Sequence, residues 1–186
     1  MNKKIKNATP CVVQNIQFKS KIEGNVYKWL KELNIDAEYE KTTYTLSPQC
    51  RPTCPYYTRH KKGFIIDMKP LSKITYTPDF IFTLNNIQVV LEVKGKVNDV
   101  YPFKRNLFRK ELEKCDNVLY FEIRSKKELL EAIHITNNTT LGTLKLYKCV
   151  NKLPDKYISK AISLIQNEDY EKLKVLFNKF NIYIIE

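Results

Sequence analysis

Residues 76–95 read YTPDFIFTLNNIQVVLEVKG, two runs of aromatic, β-branched and other apolar residues joined by Asn85-Asn86. Asparagine tolerates the left-handed backbone that a two-residue antiparallel turn requires, so the segment predicts a tight hairpin. Three ionisable groups interrupt it: Asp79 follows Pro78, and Glu92 and Lys94 stand two apart at the end of the second run. A charge set into an apolar strand is costly without a partner, a metal or a bound anion. The hairpin must therefore carry both core and polar site. Side chains alternate along a strand, which places Val90, Glu92 and Lys94 on one face and Val89, Leu91 and Val93 on the other. Pairing across the Asn-Asn turn brings the Asp79 carboxylate beside that of Glu92. Neighbouring carboxylates repel unless one is protonated or a cation bridges them, and hard oxygen ligands suit Mg²⁺ or Mn²⁺. Lys94, about 7 Å further along by strand rise, falls at the edge of such a site. Metal and lysine together equip a site for phosphodiester hydrolysis.

The surrounding segments predict an α/β chain. Ile22, Val26, Trp29, Leu30 and Leu33 recur at helical spacing over residues 20–33, the pattern of an amphipathic helix. Residues 37–46 and 74–82 have strand composition, 102–115 predicts a helix, 117–123 a strand, and a further helix starts at Ser125, whose spacing to Glu128 is that of a capping box. The order is helix, three strands, helix, strand, helix. Three prolines between 48 and 55 exclude a central strand, so 47–60 is expected as a loop, with GFII behind it as a short strand. Residues 1–17 are expected as a basic arm or as a strand that orders on a partner. Further on, 143–150 reads as an edge strand, 155–180 as a helical pair split near Asn167, and 181–186 as a closing strand. The chain thus divides into an arm (1–17), an α/β core (18–135) with an insertion at about 47–73, and a mostly helical extension (136–186).

Charge points to the partner. Against 20 Asp and Glu stand 32 Lys and Arg, a net charge of +12 that favours polyanions, nucleic acid ahead of anionic membrane. Residues 1–21 carry Lys3, Lys4, Lys6, Lys19 and Lys21 and no acid. Residues 51–73 carry Arg51, Arg59, Lys61, Lys62, Lys69 and Lys73 against Asp67 alone. In the same stretch Tyr56 and Tyr57 precede Arg59, His60, Lys61 and Lys62, a mixture able to stack on unpaired bases and grip phosphates. Lys104, Arg105, Arg109 and Lys110 form two overlapping rows on the helix after the hairpin; they face a DNA backbone or simply solvent. The five cysteines make no even framework and no secretory signal precedes them, so reduced thiols in a cytoplasmic protein are expected. Cys50, Cys54 and His60 lack the second ligand pair of a zinc knuckle. His134 reads as structural. No apolar run approaches the roughly 20 residues that span a bilayer, so no membrane association is expected.

Asp79 after Pro78, followed by Glu92-Val93-Lys94, resembles the PD-(D/E)xK signature of the restriction-endonuclease-like nuclease superfamily. SKIEGNVYKWLKELNIDAEYE, ITYTPDF and VVLEVKG look like the first helix, following strand and catalytic strands of phage Holliday junction resolvases of the endonuclease I type, over residues 18–123 apart from the insertion. Uncharacterised phage nuclease-like proteins share these strand motifs and a basic helix similar to FKRNLFRK. The resemblance implies a restriction-endonuclease-like core, a mixed sheet flanked by helices. It further implies Asp79 and Glu92 as metal ligands, Lys94 as catalytic lysine and Glu23 as a fourth member of the site, reaching in from the first helix. Glu23 has a second reading, since Ser20 and Glu23 have capping-box spacing. Metal-dependent cleavage to 5′-phosphate and 3′-hydroxyl ends, branched DNA as substrate, a role in recombination and a homodimer are what the resemblance implies, with Lys19, Lys21, Arg59, Lys61, Lys62, Lys96, Lys104, Arg105 and Arg109 as DNA contacts. The alternatives are a related nuclease of linear or recombination-intermediate DNA and a non-catalytic nucleic-acid-binding protein of the same fold. For a phage-encoded chain the compartment is the host cytoplasm.

Overall fold

A computed structural model describes residues 9–95 and 100–183. The chain enters through a hairpin of β1 (Cys11–Val13) and β2 (Ile16–Phe18), turned through Gln14 and Asn15 at positive φ. Helix α1 (Lys21–Glu32) follows, then β3 (Glu38–Tyr39) and β4 (Tyr44–Ser47). A second hairpin, β5 (Tyr56–His60) and β6 (Gly63–Asp67), precedes β7 (Ile74–Tyr76), β8 (Phe80–Leu84) and β9 (Ile87–Val93). Helix α2 (Tyr101–Leu112) leads into β10 (Val118–Ile123), and α3 (Lys126–Asn137), α4 (Leu141–Val150), α5 (Asp155–Gln166) and α6 (Tyr170–Asn178) complete the described chain.

The main sheet has the order β10-β9-β8-β3; β10 runs parallel to β9, and the other pairs are antiparallel. The fold is mixed α/β; the main sheet and its helices run in the order α1, β3, β8, β9, α2, β10, α3, but β1 and β2 precede α1 and β4–β7 intervene between β3 and β8, so the expected run of three strands between the first two helices is seven. Asn85 and Asn86 sit at φ 52° and 62°, and Leu84 pairs with Ile87 across them, as a tight turn between right-twisted strands requires.

Both faces of this sheet are covered, which explains why β9 reads as a nearly continuous apolar run. Val89, Leu91 and Val93 join Phe18, Val26, Leu30, Phe80 and Leu129 in a core under α1 and α3. Val90 and Ile81 pack on the opposite side with Tyr76, Tyr101, Phe108 and Leu112, under α2. The predicted alternation is thus observed, and Glu92 and Lys94 share the α2 side with Val90. A third core, built from Val150, Ala161, Ile165, Leu173 and Phe177, belongs to α4–α6.

Several expectations need correction. The strand expected over 37–46 is two strands: Glu40 takes φ 45° and redirects the chain, so β3 stays on the main sheet while β4 pairs with β7. The strand expected over 74–82 is broken in the same way, by Thr77-Pro78-Asp79 between β7 and β8. Residues 47–60 are not all loop, because β5 pairs with β6, the strand expected at GFII. The stretch 143–150 is helical: Leu141, Leu144, Tyr147 and Val150 recur every third residue, and Thr140 accepts from the Thr143 amide as N-cap. The TLKL alternation mimics a strand only locally. Residues 181–183 form no strand, and 184–186 lie outside the described residues. Residues 11–18 are neither a free arm nor a strand waiting for a partner, since Phe18 is wholly buried and Cys11, Val13 and Ile16 pack on the same core; residues 1–8 are outside the described set. The boundaries expected at 17 and 135 fall within β2 and α3. His134, read as structural, is exposed in the last turn of α3, where Asn138 Nδ2 lies 3.2 Å from its ring and donates to its carbonyl at 2.9 Å. Among the described residues no helix is long and apolar enough to cross a membrane.

Candidate active site

The β8/β9 register sets Phe80 opposite Leu91, so Asp79, one residue earlier, comes to lie beside Glu92. Backbone bonds fix it from both sides: its Oδ2 accepts from the Val93 amide at 2.6 Å, and its carbonyl accepts from the Glu40 amide at 2.9 Å. Burial raises the Asp79 carboxyl to about 8, with the charges of Glu92 and Glu23 adding to the rise and the Val93 amide and Lys94 opposing it. The charges of Glu92, Glu23 and Lys94 thus all reach Asp79.

Glu92 is buried, and Lys94, about 12% exposed at its side chain, donates directly to Glu92 Oε1. The contact is closer than strand rise alone suggests, because the lysine folds back along its own strand. The Lys94 amide donates to Ile123 on β10 at 2.8 Å, and its ammonium stands 3.4 Å from the centroid of the Tyr101 ring. The second oxygen, Glu92 Oε2, is buried with no hydrogen-bond partner among the described residues. The Tyr76 hydroxyl is near enough for Glu92 to add to the rise that burial imposes on it, but no hydrogen bond of sound geometry reaches Oε2. An unpartnered buried carboxylate oxygen is costly.

Glu23 occupies the first turn of α1 and is buried. Its Oε1 accepts from the Ser20 hydroxyl at 2.6 Å, while its amide donates to Ser20 Oγ at 3.3 Å. Its Oε2 accepts from the Tyr39 hydroxyl at 2.6 Å and from the Lys19 amide at 3.1 Å. The capping reading is thus realised, with the carboxylate reaching one residue further back than a standard box. The cap holds Glu23 where its charge adds to the rise on Asp79.

On the α2 side a tyrosine cluster encloses the pair. Glu122 lies directly across from Glu92 in the parallel β9/β10 register and pairs with Arg105 at 3.4 Å. The Tyr101 and Tyr120 hydroxyls are 3.0 Å apart, and Tyr76 is 3.5 Å from Tyr120. Burial pushes Tyr120 up to about 12 and Tyr101 and Tyr39 upward too, so these phenols remain protonated donors. Tyr39, Tyr76, Tyr101, Tyr120 and Glu122 were not singled out from the sequence; the one available signal is that Tyr120 and Glu122 alternate in VLYFEI as Val90 and Glu92 do in β9.

The cationic residues fall into three groups. Lys104 donates to the Thr75 carbonyl at 3.2 Å and Arg105 faces Glu122, so both brace the site. Lys19 pairs with Glu40 beside it, and Lys21 is exposed at the start of α1. Arg109 is exposed on α2, and Arg59, Lys61 and Lys62 are exposed on the β5–β6 hairpin. Lys96 lies outside the described residues.

A family model described as "Protein of unknown function (DUF1064)" matches residues 3–131, well over half of the chain. The chain belongs to that family. No curated protein and no solved structure matched it. The span shared with DUF1064 contains Glu23, Asp79, Glu92, Lys94 and the tyrosine cluster, and it ends within α3, so α4–α6 lie beyond it.

Among the described residues no group of three or more His, Cys, Asp and Glu side chains converges on one point. With Glu23 bound by Ser20 and Tyr39, the donor set is the pair Asp79 and Glu92. That pair suits a hard dication: a positive charge relieves the repulsion that raises Asp79 and supplies the missing partner of Glu92 Oε2.

Proposed function

We propose that this DUF1064 protein is a divalent-metal-dependent DNA endonuclease with a restriction-endonuclease-like core. The observation that carries the reading is the buried Glu92, one carboxylate oxygen unpartnered among the described residues and the other held by the Lys94 ammonium, with half-buried Asp79 beside it at the start of the neighbouring antiparallel strand. Asp79 and Glu92 would hold Mg²⁺ or Mn²⁺, which when bound polarises the phosphate and lowers the pKa of water. Lys94 holds a proton beside the attacking water and offsets negative charge as it develops on the phosphate. Tyr101 keeps that ammonium aimed, its ring face stabilising the cation. Glu23, fixed by Ser20 and Tyr39, adds negative charge next to Asp79 and so favours cation capture. Products carry 5′-phosphate and 3′-hydroxyl ends. Branched DNA as substrate, a homodimer placing two sites on one junction and a cytoplasmic setting complete the proposal; they rest on resemblance and on the net charge of +12.

A second reading has its own observation. Lys94 neutralises Glu92 and Glu23 is saturated with donors, which also fits a non-catalytic DNA-binding protein. One experiment separates them: a four-way junction and a matched linear duplex are incubated with protein in Mg²⁺, in EDTA, and with Lys94→Ala. The nuclease predicts cleavage in Mg²⁺ only, slowed at least about 100-fold by Lys94→Ala. Salt-sensitive binding without cutting establishes the binding protein instead, and equal cutting of both substrates removes the junction preference.

A further inference from the structure

The insertion is a structured appendage. Its base is closed by reciprocal backbone bonds between Cys50 and Leu71, at 3.3 and 2.8 Å. From there β5 and β6 run out as a two-stranded ribbon that joins no other strand among the described residues, with Lys61 and Lys62 at the tip. Gly63, at φ 128°, supplies the backbone needed directly after that tip. The register pairs Tyr57 with Ile66 and Arg59 with Phe64, so these four share one face. Phe64, Ile65 and Ile66 are 71%, 51% and 55% exposed, and Tyr56 and Tyr57 about as much.

A lone two-stranded ribbon is marginally stable in water, and a run of exposed apolar residues marks a contact surface. Charge selects the partner. Residues 51–73 hold six cationic side chains against Asp67, and Asp67 is engaged by Lys69. A second copy of the ribbon would bring like charges together, whereas a polyanion is attracted. A duplex groove offers phosphates to the lysines but little to Phe64 and Ile66. Unstacked bases offer both a flat apolar surface and an adjacent phosphate chain.

We infer that the β5–β6 ribbon is a binding element for single-stranded or unstacked DNA, with Tyr57, Phe64 and Ile66 lying against bases, Arg59 stacking beside them, and Lys61 and Lys62 on phosphates. It rests on the DNA-directed reading of the site and would deliver opened DNA, such as a branch point, to the carboxylate pair.

The test is fluorescence anisotropy of the full chain in EDTA with labelled oligodeoxythymidine and with a matched duplex. Phe64→Ser/Ile66→Ser is expected to weaken single-strand binding about tenfold or more and duplex binding less than about twofold. Lys61→Gln/Lys62→Gln is expected to weaken both and to lower the salt slope by about 1.5. Melting curves matching the parent's verify folding, which exposed positions leave intact. Unchanged single-strand affinity in Phe64→Ser/Ile66→Ser overturns the inference, as does a parent dimer that this variant converts to monomers without loss of DNA affinity. Because no metal is present, the two proposals fail separately: a parent that binds single strands but never cuts sinks the nuclease alone, and one that cuts with unaffected ribbon variants sinks the ribbon alone.

Discussion

Asp79 is held in a position that a carboxylate resists without a cation. Burial and the charge of Glu92 raise its proton affinity, from the ordinary value near 3.8 to about 8. Between those values the folded state holds a proton that the unfolded chain has released, so stability falls as pH rises through this window and is level above it. Asp79→Asn is nearly isosteric, keeps an oxygen to accept from the Val93 amide and removes the charge. In EDTA the parent should therefore lose stability between about pH 4 and pH 8 while the variant changes less. At pH 8.5 the variant should be more stable by about 1–3 kcal/mol, and near pH 4 the two should converge. Thermal melts across pH read this directly. Parallel curves for parent and variant would mean that Asp79 is not strained by its neighbours. Addition of Mg²⁺ at high pH should stabilise the parent, which can bind it, more than the variant.

At the scale of elements, α1 supports the site by two contacts that pull in different directions. Its first turn carries Glu23, and one residue later Gly24 lets the β1–β2 hairpin lie against the helix. A Cβ at Gly24 would stand 2.5 Å from Cys11 Sγ and 3.3 Å from a Val13 methyl. Alanine at a helical glycine ordinarily gains about 1 kcal/mol, but overpacking here is expected to outweigh it. Gly24→Ala should destabilise by about 1–2 kcal/mol, and Cys11→Ala in the same background should recover most of that, as coupled neighbours do. Urea titration of the two single variants and the double variant measures the coupling; additivity would show that the hairpin does not rest on Gly24. The same elements show what could be read in advance. Period-two alternation and the Asn85-Asn86 turn were enough to face Asp79 toward Glu92 and Lys94, because hairpin register is local. The tyrosines and Glu122 reach the site from β3, β7, α2 and β10, and long-range packing leaves no spacing signature. The helix α4 was hidden by the short alternation in TLKL, and the breaks at Glu40 and Pro78 by strand composition that runs straight through them.

For the whole molecule, the question is how far the site depends on the C-terminal helices. The α1–α3 region closes its own cores on both faces of the sheet, and α4–α6 close a third. The two regions meet where Leu144 and Tyr147 approach Leu112 and Val118 across a cavity of about 320 Å³, and where Lys148 pairs with Asp116 at 2.5 Å. That ion pair is exposed at Asp116 and adds little. The junction is thus mostly a modest apolar contact, remote from Asp79, Glu92 and Lys94. A chain ended after Asn138 keeps every residue assigned to the site and the ribbon, and the full span shared with DUF1064. It should unfold cooperatively, lose about 1–3 kcal/mol from uncovering Leu112 and Val118, and retain Mg²⁺-dependent cleavage within about threefold of the full chain at saturating DNA. Denaturant melts and cleavage rates on the same preparations check both. A shortened chain that melts like the parent but no longer cuts would place part of the catalytic or DNA-holding machinery in α4–α6, and the site would then extend beyond the sheet end that holds its carboxylates.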